Sequence, residues 1–278
     1  MKNIVIRALS GAVYVALIVA SILLLDNSPI AFLVVFSLFI VIGVKEIYDM
    51  SRNEATESWL VILIDMLGGV GTFLAFYLYA SKTGAHSTWF LPLAAYLVIR
   101  CIIQLYRPKQ NAVHSLQRSF FTILYIALPI GLLNNIAYVS APRILLAVFM
   151  FIWVNDTGAF LAGITFGKHK LFERISPKKS WEGFFGGLIA CIAAALVTNK
   201  WCNEFFLVPE LAIWIGLSII VSIIATFGDL TESLIKRTEG VKDSGHIIPG
   251  HGGILDRIDS LLLVSPAVLI YIALIVNN

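Results

Sequence analysis

Charge is scarce in this sequence. Asp, Glu, Lys and Arg together make up 13% of its 278 residues, against about 25% in ordinary soluble domains. With 59% hydrophobic residues and a mean hydropathy of +0.88, that scarcity excludes a core wrapped in a water-facing surface. Cysteine is scarce too. Cys101, Cys191 and Cys202 are odd in number, and their spacing fits neither a zinc site nor a disulfide framework. No Cys/His or three-His set exists, which argues against zinc. No GxxxxGK[ST] run exists, so a P-loop is excluded as a phosphate site. Short alternating segments are missing as well, which excludes a transmembrane barrel. There is no tandem repeat or low-complexity stretch, and nothing suggests a nucleic-acid partner.

What the sequence does have is long apolar runs. About 18 apolar residues suffice to cross ~30 Å of hydrocarbon as helix. Nine runs qualify, at 9–25, 29–47, 58–80, 88–105, 119–138, 143–166, 183–199, 210–228 and 259–276. They predict an all-α, polytopic helical membrane protein. Lys2 and Arg7 precede the first run, but no small-residue cleavage site follows Leu25, so that run reads as a membrane helix rather than a signal peptide. With the N-terminus cytoplasmic, 17 Lys and Arg fall inside and 3 outside, the asymmetry expected of a positive cytoplasmic face. The chain divides into spans one to five, over 1–140, and a motif-bearing region over 141–278. The longest inside loops are 167–182 and 229–258, and function usually sits in loops held by rigid elements.

A charge within a span is costly and usually serves function. Asp156, in Asn155-Asp156-Thr157-Gly158, lies in the middle of the sixth run. Asp65 lies in the third, without a recognisable constellation. Lys45 and Glu46 end the second run and read as an interfacial pair; Tyr48 and Trp59 read as interfacial anchors. Trp153 and Trp214 read as packing or lipid-facing residues. In Ser176-Pro177-Lys178-Lys179-Ser180-Trp181-Glu182-Gly183, Ser180 can cap the seventh helix. Lys178 and Lys179 form either an anion site beside that helix N-terminus or a patch for acidic lipid.

The richest stretch is 228–259. Asp229, Ser233, Lys236 and Arg237 share one helix face by spacing. Lys242-Asp243-Ser244-Gly245-His246 is a polar turn. Pro249-Gly250-His251-Gly252-Gly253 cannot be regular helix, and its backbone is free to wrap a ligand. Asp256 and Asp259 follow on one face at the start of the ninth run. Carboxylates converging from two helices suit a hard cation such as Mg²⁺, which often bridges to substrate phosphates. Neighbouring Lys and Arg suit phosphate charge. His251 is a candidate acid, base or phosphate donor. The residues alone therefore point to a metal, a phosphate and a membrane, the components of phosphoryl or nucleotidyl transfer.

The 27-residue pattern from Ser233 through Lys236-Arg237, Lys242-Asp243, Gly245, Pro249, His251-Gly252-Gly253 and Asp256-Arg257 to Asp259 resembles the signature of the phosphatidate cytidylyltransferases, or CDP-diacylglycerol synthases. The Asn155–Gly158 and Ser176–Gly183 segments are similar to that family too; the first 140 residues resemble it only in hydropathy. The resemblance implies transfer of a cytidylyl group from CTP to phosphatidate, with Mg²⁺ and a second cation as an option. The basic loops put the site on the cytoplasmic side, and a short sequence without a targeting extension fits a bacterial inner membrane, with an organelle as the alternative. The resemblance also implies Asp229, Asp256 and Asp259 as metal ligands and catalytic groups, with Lys236, Arg237 and His251. Ser233, Lys242, Gly252, Gly253, Lys178, Lys179 and Asp156 are the implied substrate contacts. The alternatives are an enzyme of the CDP-alcohol phosphotransferase type, whose Asp-Gly-x-x-Ala-Arg pattern is absent here, and a polytopic transporter. Monomer and homodimer both stand open.

Overall fold

A computed structural model describes residues 2–51, 57–81, 86–107, 111–139, 142–206, 210–248, 250 and 252–276. The described chain is helical almost throughout. The helices are α1 (Lys2–Leu23), α2 (Ile30–Met50), α3 (Trp59–Ala80), α4 (Leu91–Leu105), α5 (Ala112–Thr122), α6 (Leu128–Val139), α7 (Pro142–Phe166), α8 (Trp181–Trp201), α9 (Asn203–Phe206), α10 (Leu211–Thr238) and α11 (Leu255–Val276). One 3₁₀ turn leads into α4, and a π turn, Ile123–Ala127, joins α5 to α6 without a break.

Among the described residues, eight helices are long and apolar enough to cross a membrane, and a shorter apolar stretch, Ala8–Leu23, occupies α1. Each of the nine apolar runs is thus a helix, and the protein is an integral membrane protein. In hydrocarbon every backbone N–H and C=O must be paired within the segment, which the helix does by itself. Leu67, Phe160, Ile164, Ile189 and Ile270 are exposed along the helices, as lipid-facing side chains should be. The large aromatic side chains Phe32, Phe36, Phe73 and Phe149 are buried and lie ring against ring.

The boundaries differ from expectation in an instructive way. α10 runs to Thr238, well past the predicted end at 228, and α11 starts at Leu255 rather than 259. The catalytic candidates Asp229, Ser233 and Lys236, like Asp256 and Asp259, therefore sit on rigid helix. The loop 167–182 contains an unpredicted antiparallel hairpin, β1 (Lys170–Phe172) with β2 (Ser176–Ser180). Glu182 ties its base by accepting from the backbone N–H of Lys168 at 3.1 Å and of His169 at 3.2 Å.

One interfacial anchor is misplaced. Tyr48 is buried, and its hydroxyl donates to Asp65. Tyr96 donates to the other Asp65 oxygen at 2.9 Å, and Arg100 lies 3.6 Å from it, with both charged side chains fully buried. Asp65 is thus one member of a polar knot joining α2, α3, α4 and α5, far from the signature residues in sequence. Trp59, by contrast, is 73% exposed, as an interfacial anchor requires. Trp214 packs in the core against Phe151 and Phe206.

Candidate active site

The site is built where α10 and α11 approach one another. Gly228 makes the approach close: a Cβ there would stand 2.8 Å from the Ser260 Cα. Asp229 follows immediately, and Asp259 immediately precedes Ser260, so the contact brings the two carboxylates together. Asp229, Glu232 and Asp259 each offer an oxygen within 4.8 Å of the others.

Glu232 is a signature neighbour that the sequence reading passed over. It is fully buried; Oε2 abuts the Lys236 ammonium as an ion pair, and Oε1 has no partner among the described residues. A buried carboxylate oxygen without a donor is expensive. Three carboxylates so close together, with Glu232 Oε1 left without a partner, fit a divalent cation such as Mg²⁺.

Asp256 is held differently from the metal ligand expected of it. Its Oδ1 accepts from Lys236 Nζ at 2.6 Å. Its Oδ2 accepts from Ser244 N at 3.0 Å and Gly253 N at 2.9 Å. Asp256 lines the cavity beside the three carboxylates but is not one of the group. Gly252 has φ +85°, a left-handed backbone that only glycine adopts without strain. A Cβ there would meet Asp256 Oδ2 at 2.6 Å.

A cavity of about 510 Å³ opens above this group. Asp156, Asp229, Asp243, Asp256 and Asp259 line it against two cations, Lys236 and Arg257. Five carboxylates facing two cations leave a surplus of negative charge, which a metal ion would offset. A second cavity of about 510 Å³ lies on the far side of Asp156 and Asp229, which belong to both. Its lining includes Lys170, Lys178 and Lys179 together with the apolar Phe160, Ile164 and Phe184. Lys179 bridges the two cavities, with Nζ 2.7 Å from Asp229 Oδ2. Ser180 caps α8 as expected, accepting from Gly183 N at 3.1 Å. Asn155 holds α7 to α10 by accepting from Ser222 Oγ at 2.7 Å.

A third, polar hollow in the 239–254 loop is lined by Lys242, Asp243, His246, Gly250, Gly252 and Arg257, and it adjoins the first cavity through Asp243 and Arg257. Ser233 Oγ donates to Asp229 Oδ1 at 3.2 Å and so orients that carboxylate. Arg237 is exposed and donates to the Val241 carbonyl at 2.9 Å, away from the cavities. It shares a helix with Lys236 but not its direction. His251 lies outside the described residues. Trp153, expected to pack or face lipid, lines the first cavity.

The N-terminal half also contributes, which its lack of motifs had hidden. Ser10, Gly11 and Tyr14 of α1 wall the first cavity, and Tyr14 donates its hydroxyl to the Arg257 carbonyl at 2.9 Å. Glu46 is no partner of Lys45, which pairs with Asp49 at 2.5 Å. Instead Glu46 is buried behind the site.

Fold and site together define an integral membrane protein with an acid-lined, lysine-flanked site of the kind that handles phosphates. Comparison with known proteins narrows this. The sequence model described as "Cytidylyltransferase family" matches residues 5–275, and the chain belongs to that family. Over 125 residues it is 49% identical to the phosphatidate cytidylyltransferase of Haemophilus influenzae, covering 44% of this chain and 43% of that protein. It is 48% identical over 126 residues to the protein of the same name from Staphylococcus epidermidis, covering 45% and 46%. For Staphylococcus haemolyticus the identity is 50% over 124 residues, covering 44% and 46%. The matched stretch thus spans a little under half the length of these curated relatives.

Proposed function

We propose that this chain transfers a cytidylyl group from CTP to phosphatidate, giving CDP-diacylglycerol and pyrophosphate. The observation that carries this reading is the wall shared by two cavities of unlike character, formed by Asp156 and Asp229. One cavity suits a phosphate attached to a lipid: Lys178 and Lys179 meet the charge, while Phe160, Ile164 and Phe184 meet the apolar part. The other suits a metal-bound polyphosphate, with Lys242, His246 and Arg257 of the adjoining hollow facing the incoming nucleotide. The names of the relatives support the same pair of substrates.

An oxygen of the phosphatidate monoester bonds to the α-phosphorus of CTP. The bond from that phosphorus to the β-bridging oxygen breaks, and pyrophosphate leaves with the electron pair. The attacking phosphate is already anionic at neutral pH, so no side chain has to serve as nucleophile. The work left to the protein is to bring two anions together and orient them. Lys179 and Lys236 offset the repulsion from opposite sides, and Ser233 keeps Asp229 in position. Asp229, Glu232 and Asp259 would hold Mg²⁺, with Asp256 beside them; bound there, the ion supplies Lewis-acid stabilisation of the phosphate oxygens. The basic loops support a cytoplasmic face for this site, and the bacterial relatives support an inner membrane.

The test is pyrophosphate release by purified protein in detergent given CTP, phosphatidate and Mg²⁺, omitting each in turn. Release requiring all three, with a CDP-lipid product, is the expected result. Release of CMP instead would indicate the phosphotransferase alternative. Solute flux without CTP consumption would indicate a transporter, and either outcome overturns the proposal.

A further inference from the structure

Glu46 is a carboxylate on α2 that is only 2% exposed. A charge buried there requires donors around it, and they come from the other end of the chain. Oε1 accepts from Ile254 N at 2.9 Å, and Oε2 from Leu255 N at 2.8 Å. Those two N–H groups are among the free donors that open α11, and an anion at that end is favoured by the helix dipole. Ser244 Oγ also lies 3.0 Å from Glu46 Oε2.

Ser244 is shared. The same Oγ stands 3.0 Å from Asp256 Oδ2. One hydroxyl proton serves one carboxylate at a time, so Ser244 links the two rather than satisfying both. Asp256 is tied in turn to Lys236, and Lys236 to Glu232. Gly245 and Gly253 close over the carboxylate: a Cβ on either would stand 2.6 Å or 2.5 Å from Glu46 Oε1. Glu46 lines none of the cavities described above, so it reaches substrate only through what it holds.

We propose that Glu46 is a positioning residue for the transfer, fixing the depth and rotation of the first turn of α11 so that Asp259 stays beside Asp229 and Glu232 and Asp256 holds the Lys236 ammonium at the cavity. The inference rests on the cytidylyl-transfer reading. A misplacement on the order of 1 Å in such a site costs about a hundredfold in rate.

The variant to make is Glu46→Gln, which keeps the volume but turns one acceptor oxygen into a donor facing other donors. The expected result is a kcat lowered by about 10- to 100-fold, with KM for CTP and for phosphatidate within about twofold of wild type, in protein that elutes as wild type does. Ser244→Ala removes the link but leaves both backbone bonds to Glu46; it should lower kcat less, and adding it to Glu46→Gln should cause little further loss, as expected for residues acting as one unit. Hydrogen exchange at the Ile254 and Leu255 amides should quicken at least about tenfold in Glu46→Gln, the change staying local to the loop and first turn.

Wild-type kcat per folded molecule in Glu46→Gln, or two effects that simply multiply, would overturn the inference. If Glu46→Gln does not fold, Ser244→Ala decides alone, and wild-type turnover in it overturns the inference. A wild-type protein that releases no pyrophosphate sinks the functional reading instead; unchanged amide exchange would then still show that Glu46 does not hold the turn.

Discussion

At the scale of single residues, the site divides its charges by task. Asp229, Glu232 and Asp259 each offer an oxygen within 4.8 Å of the others, the arrangement proposed to hold a cation, whereas Asp256 is bonded by Lys236 and loop N–H groups. Asp259→Asn should therefore lower pyrophosphate release by about 10²–10³-fold, the scale of removing one electrostatic stabiliser, with helicity unchanged by circular dichroism; turnover within twofold of wild type would remove Asp259 from the cation site. Lys179→Ala should act on the lipid side. Losing a charge-assisted contact of about 1.5–3 kcal/mol should raise KM for phosphatidate about tenfold or more and leave KM for CTP nearly unchanged. An equal change in both would mean that Lys179 serves the nucleotide. Asp229, Asp259 and Lys179 were legible in the sequence because their types and spacing stand out against an apolar background. Glu46 was not. Its partners lie 198 to 209 residues away, and beside Lys45 at a helix end it has the appearance of an ordinary interfacial charge.

At the scale of elements, apolar runs foretold each membrane helix, because hydrocarbon thickness dictates their length. The ends were harder to read. Charges after residue 228 suggested an exit from the membrane, but α10 continues to Thr238, and two of those charges, Asp229 and Lys236, face a cavity. The hairpin over 170–180 left no signal, since Ser-Pro-Lys-Lys-Ser has none of the alternation that marks a half-buried strand. The loop before α11 is the element most exposed to a single change. Gly252→Ala forces a left-handed residue to carry a Cβ, costing about 1–2 kcal/mol, and pushes that Cβ against Asp256. It should lower both the thermal midpoint and turnover; a variant with full activity would mean that the turn does not set the position of Asp256.

At the scale of the whole molecule, Cys202 follows α8 at the end opposite the hairpin and is exposed, whereas Cys191 is buried. With the site cytoplasmic, a membrane-impermeant maleimide should label Cys202 on intact cells, and Cys202→Ser should abolish that labelling. Labelling only after permeabilisation would invert the orientation. Chelation with EDTA should stop turnover, and added Mg²⁺ should restore it; turnover that survives exhaustive chelation would dismiss the divalent ion.

The hydrogen bond from Tyr14 to the Arg257 carbonyl spans 243 residues. It makes the acid-lined cavity a property of the finished bundle. α10 and α11 bring carboxylates into a region where an isolated helix would face lipid, and charges there are costly. Until α1, α7 and α11 have assembled, that face has no wall against the bilayer. Insertion of the segments and completion of the site are therefore separate events in the biogenesis of the protein, and α1 must wait for α11.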